Sequence, residues 1–183
     1  MDDITGSFRL GPDSGRVVIK TGRAGLAARA GHDLTIEVTR WSATVTVPGD
    51  GVAAAEVAAE LDLGSLAVLE GTGGAKPLSD KDRRDILNTA GKILGRGTAR
   101  FTSTRIIPAA SGGAIEGTLT LNGTTRPARL QLVSRGPGQY RGTATVRQTD
   151  LGITPYTGFF GALKLKDEVT VEVEADLTRA ARE

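Results

Sequence analysis

Apolar residues recur at every second position along nearly the whole chain. Val17, Ile19 and Thr21 share one phase, Leu34, Ile36 and Val38 follow at even positions, and Trp41, Ala43, Val45 and Val47 at odd ones. The change of phase at Arg40 indicates a β-bulge or a sharp bend within one long strand. Val57, Ala59, Leu61 and Leu63 alternate with Glu60 and Asp62, and further sets run through Ile115–Leu121, Ala128–Leu132 and Tyr140–Val146. The last set, Val169, Val171, Val173, Ala175 and Leu177, faces away from Thr170, Glu172, Glu174 and Asp176. A period of two is the mark of antiparallel strands with one face buried. Strands this numerous, joined by turns such as LNGTTRP and SRGPGQ, predict an all-β barrel or sandwich. With 183 residues and no linker, the chain 1–183 is read as a single domain.

One segment departs from this pattern. Residues 79–94, SDKDRRDILNTAGKIL, place Ile86, Leu87, Ala90, Ile93 and Leu94 on one helical stripe. Ser79 suits the N-cap, Asp80 and Asp82 suit the first turn, and Gly95 suits the C-terminal close. Gly91 weakens the last turn by about 1 kcal/mol relative to alanine, so the helix is expected to stop near Ala90.

Composition excludes several chemistries. There is no cysteine and only one histidine, so disulfides, thiol catalysis and a zinc or iron site are not expected, and no cofactor is. The net charge is +2, no dense basic cluster stands out and aromatics are 4% of residues, which argues against nucleic acid or an anionic membrane surface as a partner. No apolar run reaches the ~18 residues of a membrane-spanning helix. The opening MDDITGSFRL has no basic and apolar leader, and a cytoplasmic location is expected. The loop EGTGGAKP lacks the Gly-Lys-Ser/Thr ending of a phosphate loop.

Three segments in order carry a family resemblance: GHDLTIEVTRWSATVTV, the helix followed by RGTARFTSTRI, and GTLTLNGTTRPARLQL with TDLGI after it. The third matches the pattern G-x-L-T-[IL]-x-G-x-[TS]-[KR]-P from Gly117 to Pro127, and Phe101-Thr102-Ser103 matches an F-x-S segment. Together they resemble the YceI-like domain, the polyisoprenoid-binding type of barrel. The resemblance implies an elongated, lipocalin-like antiparallel β-barrel of about eight strands, with the helix capping one opening. It also implies binding of a long apolar isoprenoid-type lipid in the interior.

The residues themselves leave room for such a ligand. Interior candidates Ala43, Ala59, Gly117, Gly142 and Ala144 are small, which suits either a cavity or a tightly filled barrel. His32 and Asp33 look like a dyad, yet adjacent strand residues project to opposite faces. His32 falls on the apolar row of Leu34 and Ile36, as a hydrogen-bonded structural histidine, a contact for a ligand head group, or an acid/base. Trp41 and Phe101 either line a cavity or fill gaps. The helix stripe packs on the barrel or caps it, with Leu66 and Leu69 as further lining. Residues 150–165, DLGITPYTGFFGALKL, form an aromatic corner, either a lid or a surface buried in a homodimer, with Lys164 and Lys166 available to an anionic head group. The candidate ligand contacts are therefore His32, Leu34, Ile36, Trp41, Leu66, Leu69, Ile86, Leu87, Phe101, Leu119, Tyr156, Phe159 and Phe160. The preferred function is non-catalytic binding (storage, transport or sequestration) of a hydrophobic small molecule, isoprenoid- or acyl-like. The alternatives are a barrel cyclase, isomerase or hydrolase using His32, and a dimeric interaction protein with a filled barrel.

Overall fold

The alternating segments form strands in a computed structural model that describes residues 4–183. In chain order they are β1 (Gly6–Leu10), β2 (Gly15–Lys20), β3 (Arg23–Ala24), β4 (Asp33–Val38), β5 (Trp41–Val47), β6 (Glu56–Asp62), β7 (Leu66–Thr72) and β8 (Thr98–Ala109). Then follow β9 (Gly112–Leu121), β10 (Thr124–Gly136), β11 (Gln139–Arg147), β12 (Thr157–Gly158), β13 (Leu163–Leu165), β14 (Glu168–Asp176) and β15 (Ala181–Arg182). Twelve of them make one curled antiparallel sheet in the order β15-β1-β5-β6-β8-β9-β10-β11-β14-β2-β4-β7, and β12, β13 and β3 form a small second sheet.

The count of twelve corrects the expected eight, and the register explains the difference. Residues 6–20 run antiparallel to 33–47, pairing Gly6–Leu10 with Val47–Ala43 and Val18–Lys20 with Glu37–Thr35. Residues 33–47 pair in turn with 56–72, from Thr46↔Glu56 through Trp41↔Leu61 and Val38↔Leu66 to Asp33↔Thr72. Residues 168–182 lie along 6–20 on the other side, from Thr170↔Lys20 to Arg182↔Phe8. Each of these long segments is interrupted once, so four staves of the barrel are each written as two strands. With β8, β9, β10 and β11 the ladder returns to its starting segment.

The phase change at Arg40 is one of these interruptions. A single buried serine, Ser65, bridges it to a second interruption at Leu63–Ser65. The Arg40 backbone N–H donates to Ser65 Oγ at 2.9 Å, and the hydroxyl donates to the Asp62 carbonyl at 2.7 Å. The Thr39 N–H and hydroxyl both donate to the Ser65 carbonyl.

The residues that carried the family pattern have local jobs. Phe101 lies over Gly117, where a Cβ would stand 2.6 Å from the ring and 2.3 Å from the Thr102 carbonyl oxygen. Gly117 is thus a seat for an aromatic ring and adds no open volume. Ser103 sits at a bulge in β8 and its Oγ accepts from the Val57 N–H at 2.8 Å. Asn122 and Gly123, with φ of 49° and 78°, form the two-residue hairpin turn between β9 and β10.

Helix α1 spans Asp80–Leu94, with Ser79 and Asp82 forming a reciprocal capping box and Gly95 closing it at φ 71°. It does not stop near Ala90. Ile93 and Leu94 pack against the buried cluster of Leu63, Ala99, Leu121, Leu151 and Ile153, and Asn122 Nδ2 donates to the Leu94 carbonyl at 3.0 Å. Burial of two large side chains outweighs the about 1 kcal/mol cost of Gly91. Near its other end, Ile86 and Leu87 pack against Leu34, Ile36 and Val68, and Arg83 donates to the Val68 and Leu69 carbonyls. The helix therefore lies across the end of the barrel from which residues 20–33, 72–98 and 147–168 emerge.

Candidate functional site

The interior of the barrel is open. Trp41, Ala43, Val45, Val57, Ala59, Phe101, Leu119, Leu130 and Val171 occupy the inward face yet are only half-buried, because they border empty space. That space is one continuous cavity of about 870 Å³. It runs from Ile86, Ala90 and Ile93 of the helix to Val52, Pro108 and Leu177 at the opposite rim. Its size falls toward the upper end of the ~300–1,000 Å³ typical of small-molecule sites. The reading of a filled barrel is corrected here. Eight staves lined so largely by Ala, Gly and Val leave volume that these side chains do not occupy.

Most of the lining was legible as alternation. Val17, Ile19 and Thr21, the Trp41–Val47 row, the Val57–Leu63 row, the Ala128–Leu132 row, the Tyr140–Val146 row and the Val169–Leu177 row all border the cavity. Among the candidate contacts, His32, Leu34, Ile36, Trp41, Leu66, Ile86, Phe101, Leu119 and Tyr156 do so as well.

Four candidates lie elsewhere. Leu69 is the extra residue of a bulge: the β4–β7 ladder passes from Thr35↔Glu70 to Ile36↔Val68 and leaves it unpaired. Leu87 packs on the Leu34–Ile36–Val68 cluster outside the cavity, one position round the helix from Ile86. Phe159 and Phe160 take left-handed backbone conformations, φ 48° and 53°, and point to solvent with 63% and 112% exposure. Neither enters the barrel.

His32 is held in place by the glycine-rich loop. Its Nε2 lies 2.7 Å from the Lys76 carbonyl, an acceptor only, so Nε2 carries the proton and donates. The ring rests where a Cβ on Gly74 would be, 2.5 Å from Nε2, and the Arg23 guanidinium occupies the same place over Gly73. Both glycines have positive φ, 73° and 72°. The Gly-Gly pair of EGTGGAKP is therefore the seat of two cavity-lining polar groups.

Asp33 faces away from His32. Its carboxylate accepts from the Arg23 backbone N–H at 2.9 Å and pairs with Arg23 Nε at 3.6 Å, while the guanidinium donates to the Gly31 carbonyl. The His32–Asp33 pair is not a dyad.

Sequence reasoning missed Arg23, Asp82, Asp85, Leu163 and Leu165 as lining. The alternation of Leu163-Lys164-Leu165 was a signal for the last two, since β13 turns both leucines inward. Arg23 and Asp82 had none, because a two-residue strand and a helix end bring them to the cavity. The polar groups at the helix-capped end thus include Arg23, His32, Asp82, Asp85 and Tyr156, and the remainder of the lining is overwhelmingly apolar.

Several carboxylates are held below their ordinary range. The Ser79 hydroxyl and backbone N–H do this for Asp82, Thr149 for Asp167 and Thr178 for Asp176. At Glu172 burial pushes the other way, but Arg141 and Lys20 prevail and the net shift is downward. A depressed folded-state pKa contributes stability that is complete above the unfolded value and lost as pH falls through the folded one. Unfolding free energy from denaturant titrations is therefore expected to be level with respect to these groups above about pH 5 and to decline below about pH 4. Stability unchanged down to pH 2 would refute these assignments.

A family model for the YceI-like domain matches residues 9–177. No curated protein matches the sequence. Among solved structures, BcnA of Burkholderia cenocepacia superposes with a TM-score of 0.60 at 16% identity, covering 87% of this chain and 94% of that one. The YceI protein of Campylobacter jejuni superposes with a TM-score of 0.54 at 13% identity, covering 81% and 84%. These likenesses establish a shared fold.

Proposed function

The chain belongs to the YceI-like domain family, and from that premise we propose that it binds a long-chain amphipathic lipid, isoprenoid- or acyl-like, inside its barrel for storage, transport or sequestration. The observation that carries this reading is the continuous apolar cavity of about 870 Å³. Burial of each methylene of a chain in such a space contributes about 0.8 kcal/mol. The asymmetry of the lining sets the orientation. A polar head group lies at the helix-capped end near Arg23, His32 and Tyr156, and the chain extends toward Leu132, Tyr140 and Leu177. His32 acts as a fixed polar contact, its Nε2–H committed to Lys76.

Native mass spectrometry of the protein as purified, followed by extraction and identification of any lipid, tests this. A mass excess that resolves on extraction into a long-chain lipid is the expected result. A bare protein that also refuses isoprenoid alcohols, isoprenoid phosphates and fatty acids would overturn the proposal.

A further inference from the structure

The aromatic corner that fails to enter the barrel makes a different surface. Leu26, Phe159 and Phe160 are 101%, 63% and 112% exposed, the three most exposed large apolar residues described. They lie close together, on either side of the hydrogen bond from the Ala27 N–H to the Ala162 carbonyl. Isolated exposed apolar residues are ordinary, whereas a cluster at the tip of one structural unit marks a contact surface. The backbone supports the same conclusion. Two consecutive phenylalanines at φ 48° and 53° are a costly arrangement, and its effect is to hold large apolar side chains in water.

The balanced charge of the whole chain argues against an anionic surface, but within the corner itself the charge is of one sign. Gly22–Gly31 and Thr154–Lys166, the two segments that build the small β3–β13–β12 sheet and its loops, contain Arg23, Arg29, Lys164 and Lys166 and no carboxylate. Arg29 and Lys164 are exposed and make no ion pair among the described residues, whereas Lys166 lies over Gly22 in a depression shared with Asp33, Glu70 and Glu168. Apolar tips on segments that carry free cations and no carboxylate suit a bilayer carrying anionic lipid. The corner also adjoins the cavity, which Tyr156, Leu163 and Leu165 border.

We propose that Leu26, Phe159 and Phe160 dock the protein on an anionic bilayer surface, inserting among the acyl chains while Arg29 and Lys164 sit at head-group level. The purpose of such docking, passage of a lipid between bilayer and barrel, rests on the function proposed above; the docking itself does not.

Sedimentation with phosphatidylglycerol–phosphatidylcholine vesicles, against pure phosphatidylcholine, tests it. The wild type is expected to bind the anionic vesicles preferentially, and less at high salt. Phe160→Ser and Leu26→Ser should each weaken binding about tenfold, and Lys164→Glu about fivefold or more. Phe160→Gly separates docking from folding, because glycine accepts φ 53° freely. Its thermal stability should hold or rise while its vesicle affinity falls. Ala59→Trp, which fills the cavity, should bind vesicles like the wild type. Vesicle binding therefore stands or falls separately from ligand binding. Equal binding by wild type and Phe160→Ser would overturn the proposal, as would no binding to anionic vesicles. A dimer that Phe160→Ser dissociates, without vesicle binding, would assign the corner to a second copy of the chain.

Discussion

Ala59→Trp is expected to weaken long-chain ligand binding by about a hundredfold while leaving the protein folded. Ala59 lies on the inward face of β6, paired with Ala43 of β5 on one side and Phe101 of β8 on the other. All three border the cavity, so an indole at this position enters open space and can stack against the Phe101 ring. Displacing about four methylenes of a bound chain costs about 3 kcal/mol, a factor of about a hundred in Kd. The substitution fills a void in the unliganded protein, so thermal stability should hold or increase. Ala144→Trp on the opposite wall should act the same way, since three staves lie between β6 and β11 in either direction round the barrel. Titration with a fluorescent fatty acid or isoprenoid analogue reads the affinity, and thermal unfolding reads the fold. Undiminished binding by both folded variants would place the ligand outside the barrel.

Ser65→Ala should destabilise the barrel by about 1–3 kcal/mol, a large effect for the removal of one oxygen atom. Ser65 is 6% exposed and its hydroxyl joins two interruptions that face each other across adjacent staves. Without it the Arg40 N–H and the Asp62 carbonyl lose their partner on the side that faces the buried Ser65, and a polar group left unsatisfied there costs desolvation free energy. Ser65→Thr keeps the oxygen but adds a methyl group in a packed site, so partial recovery is expected. Urea unfolding of the three proteins measures the difference. Were Ser65→Ala as stable as the wild type, the hydroxyl would have no part in holding the bend.

These two substitutions mark different depths of legibility. The inward orientation of Ala59 follows from alternation, because side chains on a strand change face at each residue and no distant contact is needed to decide it. Ser65 carried no comparable signal. Its role depends on Arg40, 25 residues away, and on the pairing that sets the Arg40 bend, visible as a change of phase, against the interruption at Leu63–Ser65. Helix α1 shows both cases. Its start at Ser79 is a local matter of capping chemistry, whereas its continuation past Gly91 to Leu94 depends on a cluster drawn from β6–β7, β8, β9 and the 149–153 turn.

His32 and the paired phenylalanines show the same division. That His32 and Asp33 are separated is local geometry; that His32 bonds the Lys76 carbonyl, 44 residues on, is tertiary. An extended segment would turn one of Phe159 and Phe160 inward, but the segment is a left-handed turn and sends both outward.

By itself the amino-acid sequence determined which side chains face inward, where the helix begins, and which family pattern the hairpin at Asn122–Gly123 belongs to. Only the tertiary structure decided that the barrel is hollow, that three staves besides the one at Arg40 are interrupted, and that the aromatic corner belongs to the outer surface. The physical reason is a difference of scale. Face and capping are set by neighbours within one turn or one pleat, whereas the enclosed volume depends on how many staves close the ring and at what tilt.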